Sequence, residues 1–242
     1  MKGIILAGGL GTRLRPMTLT TNKHLLRVHD RPMIHFPIAC LVNAGIRESL
    51  IVTSPKHIPD FRRALGDGRD LGLSTLDFAS QEGEHGVAHA LLQAESYAAA
   101  QRVCVILGDN IIEKNIRDPA QRFNAQKSGA RILLKETDEP ERFGVARIEG
   151  GRVVEVVEKP PRPSSRLAVT GIYFYDESVF EICRKLTPGI RGELEISDVN
   201  NAYARRGDLE WEMLEGWWAD VGTPESLERA ARLVASSGAN HP

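Results

Sequence analysis

The sequence contains few cysteines, and their arrangement excludes several classes of protein. Among 242 residues there are three, Cys40, Cys104 and Cys183, which lie far apart and are flanked by apolar residues. An odd number of scattered cysteines forms neither a disulfide framework nor the closely spaced ligand set of a zinc site. We therefore expect all three to be reduced thiols buried in the core.

Long apolar segments and a large net charge are missing as well. No apolar run reaches the roughly 18 residues that indicate a membrane-spanning helix, and the N-terminus lacks the apolar stretch of a signal peptide. These absences predict a cytoplasmic protein without a membrane partner. The net charge of −1 argues against a nucleic-acid partner, so any anion site must be local.

Repeats, low-complexity tracts and linkers are also absent, which predicts a single domain over residues 1–242. Up to residue 129, short apolar strands alternate with helical segments, which is typical of a parallel sheet with helices on both faces. Beyond it, alternating segments at residues 144–148 and 152–157 predict an antiparallel hairpin, before further helices such as 196–206. We expect an α/β fold with a Rossmann-like, mixed and mostly parallel sheet, in which the hairpin region forms a lid or subdomain.

Local signals predict the ends of individual elements. The alanine-rich residues 88–100 indicate one continuous helix. Asp118 followed by Pro119 is typical of a capped helix start, and Gly129 lies past the expected end. The last residues, 236–242, are expected to fray.

A glycine-rich loop follows the first predicted strand. Residues 3–16, GIILAGGLGTRLRP, begin as a short apolar run that is typical of a strand buried on both faces. Gly8, Gly9 and Gly11 then leave backbone N–H groups uncovered, so that these groups can bind phosphate. Arg13 adds a planar guanidinium that matches phosphate oxygens. The segment predicts a nucleoside triphosphate site at the carboxyl edge of the sheet, although an ordinary turn explains the glycines equally well.

Neither of two common phosphate-binding motifs is present. A P-loop requires a Lys-Ser or Lys-Thr pair after its last glycine, and no such pair follows Gly11. A dinucleotide loop requires a third glycine, where Leu14 stands. The loop therefore predicts a phosphate site of a different kind.

Two carboxylates are predicted at strand ends. Asp109 follows the apolar strand at residues 103–107, and Asp220 follows Trp217 and Trp218 before a helix begins. Carboxylates at this edge of a sheet, close to a triphosphate, are typical ligands of Mg²⁺. The alternatives are that Asp109 forms a turn and that Asp220 merely precedes a helix.

Further polar side chains are candidates for substrate binding. Lys159 ends an alternating strand beside Glu158, which could hold a hydroxyl group, and Lys23 precedes a short apolar pair. Each lysine alone is more typical of a solvated surface. Gln81 and Gly86 lie in a polar loop, where the Gln81 amide could pair with the imide edge of thymine or uracil; an ordinary loop is the alternative.

Signals in the second half of the chain are weaker. Gly144 and Gly171 permit a ligand to approach the backbone closely, while Tyr173 is equally compatible with a place in the core. His85 and His89 are four residues apart but lack the glutamate of a zinc protease helix, so we expect no zinc site there.

Taken together, these motifs resemble those of the sugar-phosphate nucleotidyltransferases. The resemblance covers nearly the whole chain, in the order GIILAGGLGTRLRPMT, LGDN, RFGV, EKP, VTGIYFYD, RGELEISDVN and WADVGT. Agreement is best with the members that join dTTP and glucose 1-phosphate, forming dTDP-glucose and pyrophosphate. The resemblance implies a magnesium-dependent cytoplasmic enzyme of dTDP-sugar and polysaccharide biosynthesis. It also implies a nucleotide-binding half at residues 1–135, a sugar-phosphate-binding half at 136–222, and a C-terminal helix and tail at 223–242.

The same resemblance implies roles for individual residues. The residues that would cradle the nucleotide are Leu6, Gly8, Gly9, Gly11 and Thr12. Its phosphates would contact Arg13, at the β- and γ-phosphates, and Lys23, while its base would contact Gln81 and Gly86. The ligands of Mg²⁺ would be Asp109 and Asp220. The sugar pocket would be lined by Gly144, Glu158, Val169 and Tyr173, with Lys159 on the phosphate of the sugar 1-phosphate. The catalytic groups among these would be Arg13, Lys23 and Lys159.

Some residues depart from the family pattern. Arg27 and His29 stand where close relatives have Pro and Tyr, and residues 82–85 lack the usual prolines, which leaves the choice of base and sugar open. The alternatives are an enzyme that uses UTP or another sugar 1-phosphate, and a non-catalytic nucleotide sensor, which the retained charged residues disfavour. Longer members form a regulatory nucleotide site with additional C-terminal helices, and from the resemblance we expect that site to be missing here. Homo-oligomerisation stays open.

Overall fold

A mixed β-sheet forms the centre of the molecule. The computed structural model describes residues 1–189 and 191–241. Its strands are β1 (Lys2–Leu6), β2 (Arg27–Val28), β3 (Arg31–Pro32), β4 (Glu48–Thr53), β5 (Thr75–Ser80), β6 (Val103–Leu107), β7 (Asn110–Ile112), β8 (Ala130–Glu136), β9 (Gly144–Glu149), β10 (Arg152–Glu158), β11 (Leu167–Tyr175), β12 (Leu209–Met213) and β13 (Trp218–Asp220). Its helices are α1 (His35–Asn43), α2 (Ile58–Leu65), α3 (Val87–Leu92), α4 (Glu95–Ala98), α5 (Arg117–Ala125), α6 (Val179–Lys185), α7 (Ile196–Arg206) and α8 (Pro224–Ser237).

The main sheet changes from parallel to antiparallel pairing at β6. Its strand order is β10-β9-β11-β6-β1-β4-β5, and β8 lies between β11 and β12. The strands β5, β4, β1 and β6 are parallel, as are β8 and β12, whereas β11 runs antiparallel to β6, β8 and β9. The predicted hairpin is formed by β9 and β10, which continue the main sheet at its edge. The expected α/β fold with a mixed sheet is confirmed.

Alternate residues of the central strands pack into cores on opposite faces of the sheet. Ile4 and Val105 belong to the core that includes α3, α6 and α7, and Ile5 and Ile106 to the core that includes α1, α2 and α5. Ile4 to Leu6 of β1 and all of β6 are apolar because a strand covered by helices on both faces has no solvent-facing side. Their carboxyl ends lie side by side in register, with Leu6 opposite Leu107, and the functional site forms at this edge.

Two helix predictions are wrong in detail. Residues 88–100 form two short helices, α3 and α4, instead of one. The helix propensity of alanine is a weak preference, under about 1 kcal/mol per residue, which tertiary packing overrides. Asp118 lies within the first turn of α5, and Asn115 Oδ1 accepts a hydrogen bond from Arg117 N in its place.

One central strand has no counterpart among the predicted elements. No strand is predicted between residues 129 and 144, yet β8 lies there, deep in the sheet. Its fully buried apolar centre is only three residues long, Ile132, Leu133 and Leu134. Such a short apolar run does not reveal a strand by its periodicity.

Hydrogen bonds hold the C-terminal tail in place. The expectation that residues 236–242 fray is therefore wrong up to residue 241, and residue 242 lies outside the described residues. Asn240 N donates a hydrogen bond to Ile112 O at 3.0 Å, and the Asn240 side chain donates to Phe36 O at 3.0 Å. His241 N donates to Glu113 O at 2.7 Å. Termini fray when nothing holds their backbone, and here the tail lies along β7.

Two expectations from the composition concern the cysteines and membrane-spanning helices. The three cysteines are buried free thiols, as expected. Within residues 1–189 and 191–241, no helix combines the length and the apolar character required to cross a bilayer.

A buried carboxylate after β11 connects three segments of the fold. Asp176 is 7% exposed. It accepts hydrogen bonds from Gly129 N at 2.6 Å, from Ser178 N and Oγ at 3.1 and 2.7 Å, and from the Tyr203 hydroxyl at 2.8 Å. Burial raises the pKa of Asp176, but these hydrogen bonds together lower it by more, so that the pKa lies below its ordinary value. The ionised carboxylate therefore stabilises the junction of β8, β11 and α7.

We predict that Asp176→Ala lowers the free energy of unfolding by about 3 kcal/mol, because four donors lose their acceptor. The difference from the wild type should be full at neutral pH and shrink below about pH 4, since a depressed pKa ties the stabilisation to the ionised form. Urea denaturation at several pH values measures both effects. The exposed Asp70→Ala variant should change the free energy by less than about 0.5 kcal/mol, and an equally small change for Asp176→Ala would contradict the prediction.

Candidate functional site

Two cavities open side by side at the carboxyl ends of β1 and β6. The larger has a volume of about 460 Å³ and the smaller about 280 Å³. Both are lined by Val87, Leu107, Asp109 and Glu193, so these four residues lie at the boundary between the two cavities. The carboxyl edge of parallel strands is where α/β sheets bind ligands. This arrangement can hold two ligands whose ends meet at Asp109.

A buried ion pair lies where the cavities meet. Lys23 Nζ is 2.5 Å from Asp109 Oδ2, and the two side chains are 12% and 13% exposed. Burial raises the pKa of Asp109, but the charge of Lys23 is the main opposing effect and the pKa is lowered overall. Burial likewise lowers the pKa of Lys23, and Asp109 raises it above the ordinary value. Both groups are therefore charged at neutral pH.

Asp220 lies beside Asp109 because β7 and β13 form a two-stranded antiparallel sheet. Asp220 is paired with Asn110, and Val221 N donates a hydrogen bond to Asp109 O at 3.0 Å. Burial, followed by the charge of Asp109, raises the pKa of Asp220 to about 6. In the part of the chain that the structure describes, no group donates a hydrogen bond to the Asp220 carboxylate. Such a carboxylate is available to bind a cation.

The glycine-rich loop packs closely around two side chains of the site, and its glycines make this possible. A Cβ atom at Gly8 would lie 2.8 Å from Gln81 Oε1, and one at Gly11 would lie 2.9 Å from Lys23 Cβ. Gly11 also has a φ of 63°, a left-handed conformation that glycine adopts without steric cost. Any larger residue at these positions would displace Gln81 or Lys23.

The polar loop after β5 is held by the segment that precedes α7. Gln81 is 7% exposed, and its Nε2 lies 3.5 Å from Gly86 O and 3.4 Å from His89 Nδ1. Gly86 has a φ of 96°, and a Cβ atom there would lie 2.4 Å from Leu194 O. Leu194 N in turn donates to His85 O at 2.9 Å. Gly86 is therefore required for the close approach of the two loops.

At the larger cavity an acceptor lies close to two of the cations that line it. Glu158, at the end of β10, has its Oε1 3.7 Å from Lys159 Nζ and 3.7 Å from Arg191 Nη2. The same Arg191 Nη2 donates to both carboxylate oxygens of Glu195, at 2.7 and 2.8 Å. Lys159 and Arg191 can therefore bind an anionic ligand here, while Glu158 accepts hydrogen bonds from it.

The structure brings most of the expected site residues to the two cavities. Those at the smaller cavity are Leu6, Gly8, Gly9, Lys23, Gln81, Gly86 and Asp109. Those at the larger cavity are Arg13, Asp109, Gly144, Glu158, Lys159, Val169, Tyr173 and Asp220. Gly11 and Thr12 line neither cavity, and Arg13 lines the larger one, close to Gly222 and Asp220.

One important residue, Asn110, has no role assigned from the sequence. Its Oδ1 accepts hydrogen bonds from Gly171 N at 3.0 Å and from Trp218 Nε1 at 2.6 Å, and its Nδ2 donates to Asp109 Oδ1 at 3.1 Å. Its place in the motif LGDN, directly after Asp109, is the signal that could have identified it.

Two arginines of the larger cavity are also missing from the expected set. Arg142 and Arg191 both line it. Each lies at the start of a motif, RFGV or RGELEISDVN, but nothing in the sequence distinguishes it from the other surface arginines. Only the folded chain brings them to the cavity that Lys159 also lines.

Comparisons with known proteins agree with this geometry. The family model described as nucleotidyl transferase matches residues 2–237. Glucose-1-phosphate thymidylyltransferases from Neisseria meningitidis serogroup A and from Mycobacterium tuberculosis are 45% and 41% identical to the chain over 238 residues. Each alignment covers 97% of this chain and 82% of the relative.

Solved structures support the same relationship. A Bacillus anthracis protein assigned as a glucose-1-phosphate thymidylyltransferase, in complex with a sucrose, has a TM-score of 0.93 and 46% identity, covering 98% of this chain and 96% of that chain. A UDP-glucose pyrophosphorylase complexed with UDP-glucose has a TM-score of 0.86 and 25% identity, covering 97% and 98%. Because the family model and these relatives match nearly the whole chain, the chain belongs to the nucleotidyl transferase family.

Proposed function

We propose that this protein is a glucose-1-phosphate thymidylyltransferase, which joins dTTP and glucose 1-phosphate to form dTDP-glucose and pyrophosphate. A phosphate oxygen of the sugar 1-phosphate forms a bond to the α-phosphorus of dTTP, and the bond from that phosphorus to the leaving pyrophosphate breaks. The observation that carries the proposal is the pair of cavities that meet at Asp109, with lysine or arginine side chains lining each of them. The activity named for the relatives at 41–45% identity supports the choice of substrates.

The smaller cavity is assigned to the nucleotide. Its glycine-rich loop would offer backbone N–H groups to phosphate oxygens, and Lys23, which packs against Gly9 and Gly11, would add a positive charge beside them. Gln81 and Gly86 would bind the base, with Leu6, Gly8, Gly9, Gly11 and Thr12 as the cradle. Arg13 would bind the β- and γ-phosphates, although its place at the larger cavity also allows contact with the sugar phosphate.

The larger cavity is assigned to the sugar 1-phosphate. Lys159 would bind the phosphate, and Glu158 would accept a hydrogen bond from a hydroxyl of the sugar, whose ring would contact Gly144, Val169 and Tyr173. The attacking phosphate is already anionic at neutral pH, so no general base is required. Catalysis then depends on holding the two phosphates in line and on stabilising charge. The division into a nucleotide half at residues 1–135 and a sugar half at 136–222 is part of the proposal.

The two carboxylates fit a divalent cation. Asp109 and Asp220 lie on adjacent strand ends, and the raised pKa of Asp220 reflects its burial and the nearby charge of Asp109. Within residues 1–189 and 191–241, no group of three or more His, Cys, Asp and Glu side chains forms a metal cage. Mg²⁺ is often held by one or two carboxylates together with substrate phosphates, which suits this pair. Bound Mg²⁺ would supply positive charge where negative charge develops at the α-phosphate.

A second candidate is the use of UTP. Thymine and uracil share the imide edge that Gln81 can bind, and Gln81 lines the smaller cavity. A non-catalytic nucleotide sensor is disfavoured, because Arg13, Lys23, Asp109, Lys159 and Asp220 are all present at the two cavities.

We predict that pyrophosphate is released fastest with dTTP and glucose 1-phosphate, and that UTP is also used. One methyl group in an apolar pocket changes kcat/KM by about 10- to 200-fold. An assay of kcat/KM for dTTP, UTP, CTP and GTP, each with several sugar 1-phosphates, tests this. A higher kcat/KM with a purine triphosphate, or a kcat/KM for dTTP more than about 200-fold above that for UTP, would contradict the prediction on base choice. No release with any combination would overturn the proposed function.

For the carboxylates, we predict that Asp220→Asn lowers kcat by about 10²- to 10³-fold, the usual loss for one electrostatic stabiliser. Asp220→Asn is easier to interpret than Asp109→Asn, because it leaves the Lys23–Asp109 ion pair intact. Asp109→Asn also leaves the buried Lys23 without its partner, which can lower the free energy of unfolding by about 3–5 kcal/mol. The measurement is kcat over a range of Mg²⁺ concentrations, and thermal unfolding checks that the variant is folded. Near-normal kcat for Asp220→Asn at saturating Mg²⁺ would refute the two-carboxylate site; the exposed Asp70→Asn variant is the control.

Lys159 is predicted to serve the sugar phosphate more than the triphosphate. Lys159→Ala should raise KM for glucose 1-phosphate and lower kcat, while calorimetry should find the affinity for free dTTP little changed. The exposed Lys127→Ala variant, which lines neither cavity, removes the same charge and should change neither quantity. An equal loss of dTTP affinity would instead assign Lys159 to the nucleotide phosphates.

A further inference from the structure

The carboxylate that faces the sugar side of the site is held from behind by a buried hydroxyl. Ser197 Oγ donates a hydrogen bond of 2.6 Å to Glu158 Oε2. Ser197 is 3% exposed, whereas the side chain of Glu158 is 21% exposed. The hydroxyl is therefore shielded from solvent, and its hydrogen bond to a charged acceptor belongs to the stronger class of such bonds.

The backbone leaves room for this contact at one position. Gly144 is paired with Glu158 across β9 and β10. A Cβ atom at Gly144 would lie 2.9 Å from Ser197 Oγ and 3.4 Å from Glu158 Oε2. A side chain at this position would press on both partners, so glycine here permits the hydroxyl and the carboxylate to meet.

The two oxygens of Glu158 have different surroundings. Oε2 is bound to Ser197, while Oε1 lies 3.7 Å from both Lys159 Nζ and Arg191 Nη2. These two cations line the larger cavity, so Oε1 is the oxygen on the cavity side. Fixing Oε2 removes most of the rotational freedom of a long side chain, and it leaves the lone pairs of Oε1 for a ligand.

Ser197 itself acts only through Glu158. Its neighbours Glu195 and Ile196 line the larger cavity, but Ser197 does not. It lies in the first turn of α7, where unpaired backbone N–H groups make the potential positive and favour a nearby carboxylate. The positive potential at the start of the helix therefore adds to the attraction between the Ser197 hydroxyl and Glu158.

We propose that Ser197 is a positioning residue for sugar recognition: it orients Glu158 so that Oε1 accepts a hydrogen bond from one hydroxyl of the sugar 1-phosphate. The proposal rests on the proposed function, because it concerns the sugar substrate of that reaction. It predicts that the contribution of Ser197 depends on one particular hydroxyl of the sugar. A residue that only stabilises the fold would have no such dependence.

The test is a cycle that combines variants of Ser197 with deoxy analogues of glucose 1-phosphate. Ser197→Ala should lower kcat/KM for glucose 1-phosphate by about 10-fold, as expected for loss of a hydrogen bond to a charged group, with KM for dTTP unchanged within about twofold. Among the 2-, 3-, 4- and 6-deoxy analogues, one should be a poor substrate for the wild type. On that analogue, Ser197→Ala should be as active as the wild type, since the hydroxyl that Glu158 would bind is gone.

Three controls separate positioning from folding. Ser197→Thr keeps a hydroxyl and should restore at least part of the activity. Ser49→Ala is the same truncation of a fully buried serine whose hydroxyl has no hydrogen-bond partner among the described residues, and it should leave kcat/KM unchanged. In a Glu158→Gln background, Ser197→Ala should add little, because the two residues act as one unit.

The outcomes distinguish this proposal from the proposed function. An active wild type in which Ser197→Ala has the same penalty on every analogue would overturn the positioning role alone. The same conclusion would follow from an unchanged kcat/KM for Ser197→Ala with glucose 1-phosphate. A wild type that releases no pyrophosphate with any sugar 1-phosphate would overturn the proposed function, and this proposal with it.

Discussion

The side-chain amide of Asn110 joins three segments that are distant in the sequence, and the geometry of the site depends on this junction. Its oxygen binds the backbone of Gly171 in β11 and the indole of Trp218 in β13, while its nitrogen binds Asp109. A Cβ atom at Gly171 would lie 2.6 Å from Asn110 Nδ2, so glycine is required there. Because the donor and acceptor ends of an amide are distinct, this one side chain fixes β11 and β13 relative to Asp109.

The charges around this junction are arranged for ligands more than for stability. Burying the Lys23–Asp109 pair costs desolvation free energy, which the attraction between two buried charges often fails to recover. The pair is better explained by its location, because it holds a cation and an anion, both charged at neutral pH, between two cavities. Asp220, with its raised pKa and no donor among the described residues, adds a second negative charge that a bound cation would neutralise.

The sequence predicted the site best where function depends on strand ends and on glycines. An apolar run such as β1 or β6 has to be a buried strand, and the residue types that follow it, Gly8 to Arg13 and Asp109, then lie at one edge because the strands are parallel. Predictions based on weak local preferences were less accurate. The alanine-rich helix is divided in two, and the tail near Asn240 is held by contacts with Phe36 and Ile112 that no local signal indicates.

The sequence by itself therefore determined the fold class, the family and the chemical character of the site, since apolar periodicity, glycines and charged strand ends are properties of short segments. Only the tertiary structure decided which side chains touch. Asn110 meets Trp218 across 108 positions, and Ser197 meets Glu158 across 39. Contacts of this kind depend on how β7, β10, β13 and α7 pack together. Packing is a property of the whole chain, and no single segment contains the information that determines it.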